Sequence, residues 1–371
     1  MKHILFISHA RGLHGAEAVM VQAVKACAAY GARVTVVVPS IVPEEGLEKA
    51  LEGIRGVQIL PMPYRAAGGD MLRTKLVRIY NIPTLLRLKR FVKREQVDVI
   101  YSNTSITILG VELANRTHVR HIWHWHEPVD EQFGWHETMV DAYREWVLDS
   151  STIVCISKQQ KQEWEETLGM PLKRARIIYN PIKRIDAIPV NRYAFHRGAR
   201  FGFVGHFEPR KNLELLIGAF EYVHEQKPET RLSLLGAVNE NDRLYVENLT
   251  DLKAPVVEIV SQTPDVAKFY SQIDILVLPS WRETMPLVVL EAMQAGVCVL
   301  QTNRSGMSEL LEDGKETLFF APDQPEELVE LMQRCLEPTY RQQIAEAGQR
   351  KAMQLVNEQC FDQQIQDLLC K

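Results

Sequence analysis

The sequence lacks the paired cysteines that are typical of disulfide scaffolds and of zinc sites. Its six cysteines are scattered over 371 residues, none forms a Cys-x-x-Cys pair, and no His/Cys cluster has the spacing of zinc ligands. Four of them stand in apolar contexts, which favours reduced, buried thiols and a cytoplasmic protein. These four are Cys27, Cys155, Cys298 and Cys335. No Asp-x-Asp motif is present either.

Long apolar runs and a strong charge of one sign are also absent. No run approaches the roughly 20 apolar residues that span a bilayer, and the apolar part of Met1–Ser8 is too short for a signal peptide, so it is interpreted as a first strand. A formal net charge of −4 gives no reason to expect nucleic acid as a partner. The length predicts two domains.

Two series of short apolar runs, separated by helical patterns, predict two doubly wound parallel sheets. The first series comprises residues 2–8, 33–38, 57–60, 97–102, 121–125, 152–156 and 175–179. The second comprises residues 200–204, 231–235, 256–259, 274–279, 297–301 and 318–321. Ligands of such sheets bind outside the carboxyl ends of the strands, so the loops that follow the strands carry the candidate site residues.

The stretch Pro279–Gly296 follows an apolar run and contains a helical pattern that starts near Pro286 and is stopped by glycine. Proline suits the first position of a helix, where its missing N–H has no partner in any case. The backbone N–H groups of Leu287 and Val288 would then lack acceptors at the carboxyl end of a strand. Such a helix start predicts a site for an anion.

Two carboxylates flank this anion site, Glu283 before the helix and Glu291 within it. Taken singly, each is more simply interpreted as a solvated surface residue. The whole stretch, however, resembles the signature of retaining glycosyltransferases of the GT-B fold (group 1, family 4 type): Pro-Ser, two residues, Glu, seven residues, Glu-Ala-Met, then Gly. The resemblance implies that Glu291 holds a ribose and Glu283 a hydroxyl of the donor sugar. Lining of the sugar and phosphate is implied for Thr284, Met285, Pro286 and Leu287.

The resemblance further implies two Rossmann-like domains that face each other across a cleft. Residues 1–180 would form the acceptor-side domain and residues 181–351 the domain that binds the nucleotide sugar. A last helix, at about 352–371, would pack back on the first domain.

The loop after residue 204 contains three candidate partners of a pyrophosphate. Lys211 matches the lysine with which the family neutralises the leaving group, whereas His206 stands where the family has an arginine. Histidine offers one donor whose charge depends on pH, and Arg210 is a cation that could compensate. With these side chains and helix N-termini as counter-charges, neither a metal nor a cofactor is expected.

Two loops of the first half are candidates as well. Gly15 matches the family's glycine loop near the donor phosphates, although a tight turn alone explains a glycine there. His126 matches a histidine beside the donor sugar; the alternative is a histidine packed among tryptophans. The segment Ser102–Ser105 is interpreted either as an acceptor contact or as a helix cap.

Residues Arg73–Arg94 include eight basic and no acidic side chains. Pro83 predicts two helices here, with Leu85, Leu88 and Val92 as the apolar stripe of the second. The segment is interpreted either as a surface helix with a charged face or as a contact with anionic lipid head groups.

The function implied is that of a retaining, metal-independent hexosyltransferase in polysaccharide biosynthesis. It would move a sugar from a nucleotide-diphosphate sugar to a hydroxyl of a glycan or lipid-linked acceptor, in the cytoplasm or peripherally at the inner membrane face. One alternative is an inactive nucleotide-sugar-binding partner, which His206 in place of arginine favours. The other is a sugar-nucleotide epimerase, which would convert the donor without an acceptor.

Overall fold

The computed structural model describes residues 1–41, 46–129, 136–150, 152–185, 198–236, 243–252, 257–261, 266–358 and 360–371. The chain divides into two compact units, Met1–Pro181 with Cys360–Lys371, and Ile182–Gln359. The terminal segment of the first unit is shorter than the expected 352–371, because the preceding helix continues to Glu358 within the second unit.

The described part of the first unit contains one sheet of seven parallel strands in the order β3-β2-β1-β4-β5-β6-β7. These strands are β1 (His3–Ile7), β2 (Arg33–Pro39), β3 (Val57–Met62), β4 (Val99–Asn103), β5 (Arg120–Trp125), β6 (Thr152–Cys155) and β7 (Ala175–Ile177). Every residue of β1 and β4 is buried. Continuous apolar runs are expected where helices cover both faces of a parallel sheet.

Besides the C-terminal helix given below, six α-helices lie in the described part of this unit. They are α1 (Gly15–Ala29), α2 (Gly46–Leu51), α3 (Met71–Arg94), α4 (Leu109–Thr117), α5 (Val140–Asp149) and α6 (Lys158–Leu168). Both ends of α6 follow from its sequence. At the start, the Ser157 hydroxyl accepts from the N–H of Gln160, and at the end Gly169 adopts a left-handed conformation.

The prediction of two helices around Pro83 is wrong, because α3 is continuous through it. Pro83 is exposed, and the carbonyl that loses its helical partner belongs to Ile79, which is also exposed and can bond to water. The buried residues keep one helical period along the whole length: Thr74, Val77, Asn81, Thr84, Leu85, Leu88, Phe91 and Val92.

The described part of the second unit contains six parallel strands in the order β10-β9-β8-β11-β12-β13. They are β8 (Arg200–Val204), β9 (Arg231–Gly236), β10 (Val257–Ser261), β11 (Ile275–Leu278), β12 (Cys298–Thr302) and β13 (Leu318–Phe320). The helices are α7 (Leu213–Gln226), α8 (Arg243–Leu252), α9 (Val266–Tyr270), α10 (Leu287–Gln294), α11 (Pro325–Arg334) and α12 (Pro338–Glu358).

The chain ends with α13 (Phe361–Leu369), whose buried face belongs to the first unit. Phe361, Ile365 and Leu368 join the apolar cluster that also contains Val24 of α1. No helix in the described ranges combines the length and the apolar character that crossing a bilayer needs.

Both sheets confirm the predicted α/β class of two doubly wound domains. In each, the strand order reverses next to the first strand, between β1 and β4 in one unit and between β8 and β11 in the other. Ligands of this architecture bind at such switch points, at the carboxyl ends of the strands. The loops after β1, β4, β8 and β11 are therefore the expected ligand-binding loops of the two units.

Helix α4 packs so closely against β4 at Gly110 that no side chain fits there. A Cβ atom added at Gly110 would lie 1.9 Å from Ser102 Oγ, which is hydrogen-bonded to His121 Nε2 at 2.9 Å. We expect Gly110→Ala to destabilise the protein by about 2 kcal/mol, since overpacking outweighs the better helix propensity of alanine. Gly218→Ala on the exposed side of α7, with no atom near its added Cβ, should instead stabilise by about 0.5–1 kcal/mol. Urea unfolding of both variants checks the opposite signs.

Candidate active site

The switch point of the second unit brings together the loops that follow β8 and β11. Asn212 adopts a left-handed conformation (φ 52°) and donates through Nδ2 to the carbonyls of Pro279 at 3.3 Å and Pro322 at 3.2 Å. The N–H of Trp281 donates to the carbonyl of Arg210 at 3.0 Å. These contacts hold residues 209–212 beside residues 279–283.

Glu283 is buried here and forms an ion pair with Lys211. The Lys211 ammonium lies 2.5 Å from Glu283 Oε1, Ser280 Oγ donates to the same oxygen at 2.6 Å, and Arg210 Nη1 lies 3.5 Å away. The backbone N–H of Glu283 donates to the carbonyl of Arg304 at 2.9 Å. Three side chains therefore hold Oε1, while Oε2 has no partner within the described ranges and can accept from a hydroxyl.

The charges of this pair suit an anionic ligand. Burial alone raises the pKa of Glu283, but Lys211 and Arg210 together hold it below its ordinary value, so the carboxylate is ionised. Burial lowers the pKa of Lys211, against the opposing effect of the carboxylate. An ammonium carries three N–H donors, and the described part of the chain gives Lys211 one acceptor. Two donors remain for a phosphate.

Helix α10 starts one residue later than expected. Pro286 is the N-cap and not the first helical residue, since its backbone is extended (φ −74°, ψ 102°) and its carbonyl accepts from the N–H of Val289 at 3.1 Å. The N–H groups of Leu287 and Val288 have no acceptor in the described ranges, so the donors expected from the sequence are the ones available. Gly296, with φ 72°, stops the helix as predicted.

Glu291 lies half-buried on α10 and has a partner of its own. Its Oε2 accepts from the hydroxyl of Tyr270 at 3.0 Å, and burial raises its pKa. Tyr270 is fully buried at the end of α9. Sequence reasoning did not single out this tyrosine, which lies 21 residues before the glutamate and meets it only in the folded structure.

The other candidates of this unit line the same two loops. His206 is half-buried in the loop after β8, and Thr284 is half-buried next to Glu283. Met285 is buried, with 6% of its surface exposed. Within the described ranges, no group of three or more His, Cys, Asp or Glu side chains is arranged to hold a metal ion.

At the switch point of the first unit, the structure shows a buried carboxylate that the sequence did not single out. Glu17 of α1 is 1% exposed, and its Oε1 lies 3.0 Å from Nδ1 of His9 in the loop after β1. Burial opposes protonation of His9, but this carboxylate holds the pKa of His9 above its ordinary value. Gly15 begins α1 with open space where a Cβ would stand. The sequence signal that could have identified Glu17 is its charge in the first turn of α1, directly after Gly15 and Ala16. A buried charge at such a position is unusual.

His126 contacts Asn103 from the segment after β4. Its Nε2 lies 3.0 Å from Asn103 Oδ1, while Asn103 Nδ2 lies 3.3 Å from the carbonyl of Ala16 and 3.5 Å from Glu17 Oε1. The two acceptors fix the amide orientation, so His126 must carry its proton on Nε2. Burial lowers the pKa of His126 to about 4, and the ring is neutral at pH 7.

The segment 102–105 does not cap α4 through a side chain. The N-cap of α4 is Ile108, which makes no side-chain cap bond, whereas Ser105 donates through its N–H and its hydroxyl to Glu127 Oε2, both at 3.0 Å. Of its two interpretations, the cap is therefore wrong, and the acceptor contact stays a prediction.

Two parallel-sheet α/β units with polar groups at their switch points define the GT-B class of architecture. The model of the family "Glycosyl transferases group 1" matches residues 191–351, and that of "Glycosyltransferase Family 4" matches residues 13–184. The chain belongs to the GT-B glycosyltransferases of group 1, as its sequence motifs predicted.

Individual relatives are distant. An uncharacterised glycosyltransferase of Methanocaldococcus jannaschii is 25% identical over 309 residues, which are 77% of this chain and 83% of that protein. HepE of Anabaena, solved with UDP, has a TM-score of 0.80 at 20% identity over 100% of both chains. Sucrose-phosphate synthase of Thermosynechococcus elongatus has a TM-score of 0.77 at 19% identity, covering 99% of this chain and 98% of that one. Alignments with seven further curated relatives span 27% to 51% of those proteins.

The protonation state of His126 is testable without a substrate. We expect its imidazole to be the neutral Nε2–H tautomer at pH 7 and to titrate near pH 4. Asn103→Asp should raise its pKa by roughly 1 to 3 units, because a carboxylate beside Nε2 stabilises the imidazolium. Nitrogen NMR of protein labelled at histidine measures both, with His126→Gln to assign the signal.

Asn248→Asp, the same charge change at an exposed position of α8, is the control and should leave the His126 signals in place. Titration of wild-type His126 near pH 6.5 would contradict the assignment.

Proposed function

We propose that this protein is a retaining, metal-independent glycosyltransferase that moves a hexose from a UDP-linked donor to a hydroxyl of a glycan or lipid-linked acceptor. Its family supports the reaction class. The choice of nucleotide is supported by HepE, which has been solved with UDP and with UDP-glucose.

The observation that carries the proposal is the Lys211–Glu283 pair beside the start of α10. Transfer breaks the bond between the anomeric carbon and the diphosphate oxygen, so negative charge develops on the leaving phosphate. The two remaining donors of Lys211 and the N–H groups of Leu287 and Val288 lie at the same switch point, which supports a role in stabilising that charge. The ionised Glu283, held through Oε1, offers Oε2 to a hydroxyl of the sugar.

The remaining donor contacts follow the expected roles. Glu291 accepts from ribose hydroxyls, and His206, Arg210, Thr284, Met285 and Pro286 line the phosphates and sugar. The acceptor oxygen bonds to the anomeric carbon on the face that the diphosphate leaves, and its proton passes to a phosphate oxygen. The reaction therefore needs no protein base, which agrees with a neutral His126 that contacts the sugar and does not exchange protons. Gly15 lets the backbone approach the phosphates.

Nucleotide binding tests this assignment. Calorimetry with UDP, ADP, GDP and dTDP should give one clear ligand, UDP, without added metal. Lys211→Met should raise the Kd for it roughly 10- to 100-fold, since a charge-assisted hydrogen bond is lost. Lys315→Met, the same change in an exposed ion pair with Glu312, should have no effect.

Equal affinity of the Lys211→Met variant and the wild type would contradict the role of the ammonium. Binding of a donor sugar without hydrolysis or transfer to any acceptor would favour the inactive partner, the reading suggested by His206.

Helix α3 supports an acceptor at an anionic membrane surface. Its stripe Leu85, Leu88 and Val92, expected to lie among the cations, is buried in the core. The opposite face exposes a second apolar stripe, which includes Leu72, Leu76 and Ile79 with 68%, 61% and 64% of their surface exposed. Tyr80, Ile82 and Leu86 extend this stripe.

The charges along this face match an anionic surface. Eight basic side chains and no acidic one occur between Met71 and Arg94, and each cation near such a surface contributes about 1 kcal/mol. Arg78 is paired with Glu112 at 2.5 Å. An exposed apolar stripe flanked by cations is the pattern of helices that lie in the membrane interface.

Vesicle co-sedimentation tests the membrane contact. At low salt we expect binding to phosphatidylglycerol-containing vesicles and none to pure phosphatidylcholine. A Leu76→Ser, Ile79→Ser variant should bind about tenfold more weakly, because the inserted apolar area is lost. Leu148→Ser, at a similarly exposed position of α5, is the control. Absence of wild-type binding to the anionic vesicles would remove this part of the proposal.

A further inference from the structure

The hydroxyl of Tyr270 lies where it can orient one of the two glutamates. It is 3.0 Å from Glu291 Oε2 and 3.4 Å from the carbonyl of Val288, and the ring is 0% exposed. A phenol has one proton to donate, so the two acceptors share it. Tyr270 thus contacts both the first turn of α10 and the carboxylate one turn further along.

We propose that Tyr270 is a positioning residue: it holds Glu291 Oε2 so that Oε1 faces the ribose hydroxyls of the bound nucleotide. This inference rests on the proposed function, in which Glu291 binds the ribose. Oε1 has no partner in the ranges that the structure describes, and Glu291 is half-buried, not enclosed. A carboxylate with one oxygen held and the other open has a fixed direction in which it accepts.

The surroundings explain why a tyrosine serves here. Burial raises the pKa of Glu291, and the Tyr270 hydroxyl and the charge of Lys183 oppose this effect. Burial likewise keeps the pKa of Tyr270 well above its ordinary value, so the phenol remains a donor at every pH of interest. The hydroxyl therefore stabilises the ionised form of Glu291, which is the form that accepts from two ribose hydroxyls at once.

The ring of Tyr270 is fixed independently of its hydroxyl. It packs edge-on against Phe269 with ring centroids 6.5 Å apart, and Phe269 is also buried. Both aromatic residues anchor the short helix α9 in the core of the second unit. Phenylalanine at position 270 would keep this packing and remove the hydroxyl.

The decisive experiment compares ribose and dideoxyribose ligands. Tyr270→Phe should raise the Kd for UDP about tenfold, because the direction and charge of Glu291 are less well defined. With 2′,3′-dideoxyuridine diphosphate, which lacks the ribose hydroxyls, variant and wild type should bind equally. Tyr340→Phe, which removes a hydroxyl bonded to Arg334 at the surface of the same unit, should change neither affinity.

A double-mutant cycle shows whether Tyr270 acts through Glu291. In a Glu291→Ala background, Tyr270→Phe should cost no further affinity for UDP. An equal loss with both ligands, or a full additional loss in that background, would overturn the positioning role. A wild type that binds none of UDP, ADP, GDP and dTDP would instead overturn the nucleotide site itself, and the ribose contact with it.

Discussion

A buried carboxylate stays ionised only where cations and hydrogen-bond donors replace its lost hydration. Glu283 meets this condition, because its Oε1 is contacted by the side chains of Lys211, Ser280 and Arg210. The donors come from the loops after β8 and β11, and Lys211 lies 72 residues from Glu283 in the chain. The ion pair therefore fixes the two loops against each other at the switch point. Loss of one partner would leave a buried charge only partly compensated, which typically costs about 3–5 kcal/mol.

Much of the fold could be predicted because strand periodicity is a local signal. All thirteen strands in the described ranges begin within two residues of their predicted starts, since continuous apolar runs report sheets covered on both faces. Helix boundaries were harder to predict. Pro83 was expected to break a helix, yet the buried period of α3 continues through it, because tertiary packing outweighs the loss of one solvent-facing hydrogen bond.

The candidate site was predictable only as far as a motif extends. The glutamates and Lys211 were found by pattern, but their pairing was not, since side chains 72 residues apart meet only after the sheet forms. The tautomer of His126 depends on the orientation of the Asn103 amide. That orientation can be assigned only when the acceptors of its NH₂ group are known from the structure. Tyr270 was not part of the patterns recognised in the sequence, and the same reasoning did not identify it. The residues that could not be predicted from the sequence are thus mainly those that orient the recognised ones.

The two glutamates of the motif are held in the same way but lie in opposite electrostatic surroundings. Each has one oxygen held by protein donors and one without a partner in the described ranges. Cations lower the pKa of Glu283, whereas burial raises the pKa of Glu291, which has a neutral hydroxyl as its held contact. As the pH falls, Glu291 therefore takes up a proton first, while Glu283 keeps its charge. In the proposed function, a cationic cluster suits Glu283, because Lys211 would there be shared between the carboxylate and the leaving phosphate. A neutral donor would suit Glu291 as a partner of ribose hydroxyls, because a cation there would compete for the oxygen without adding selectivity for ribose.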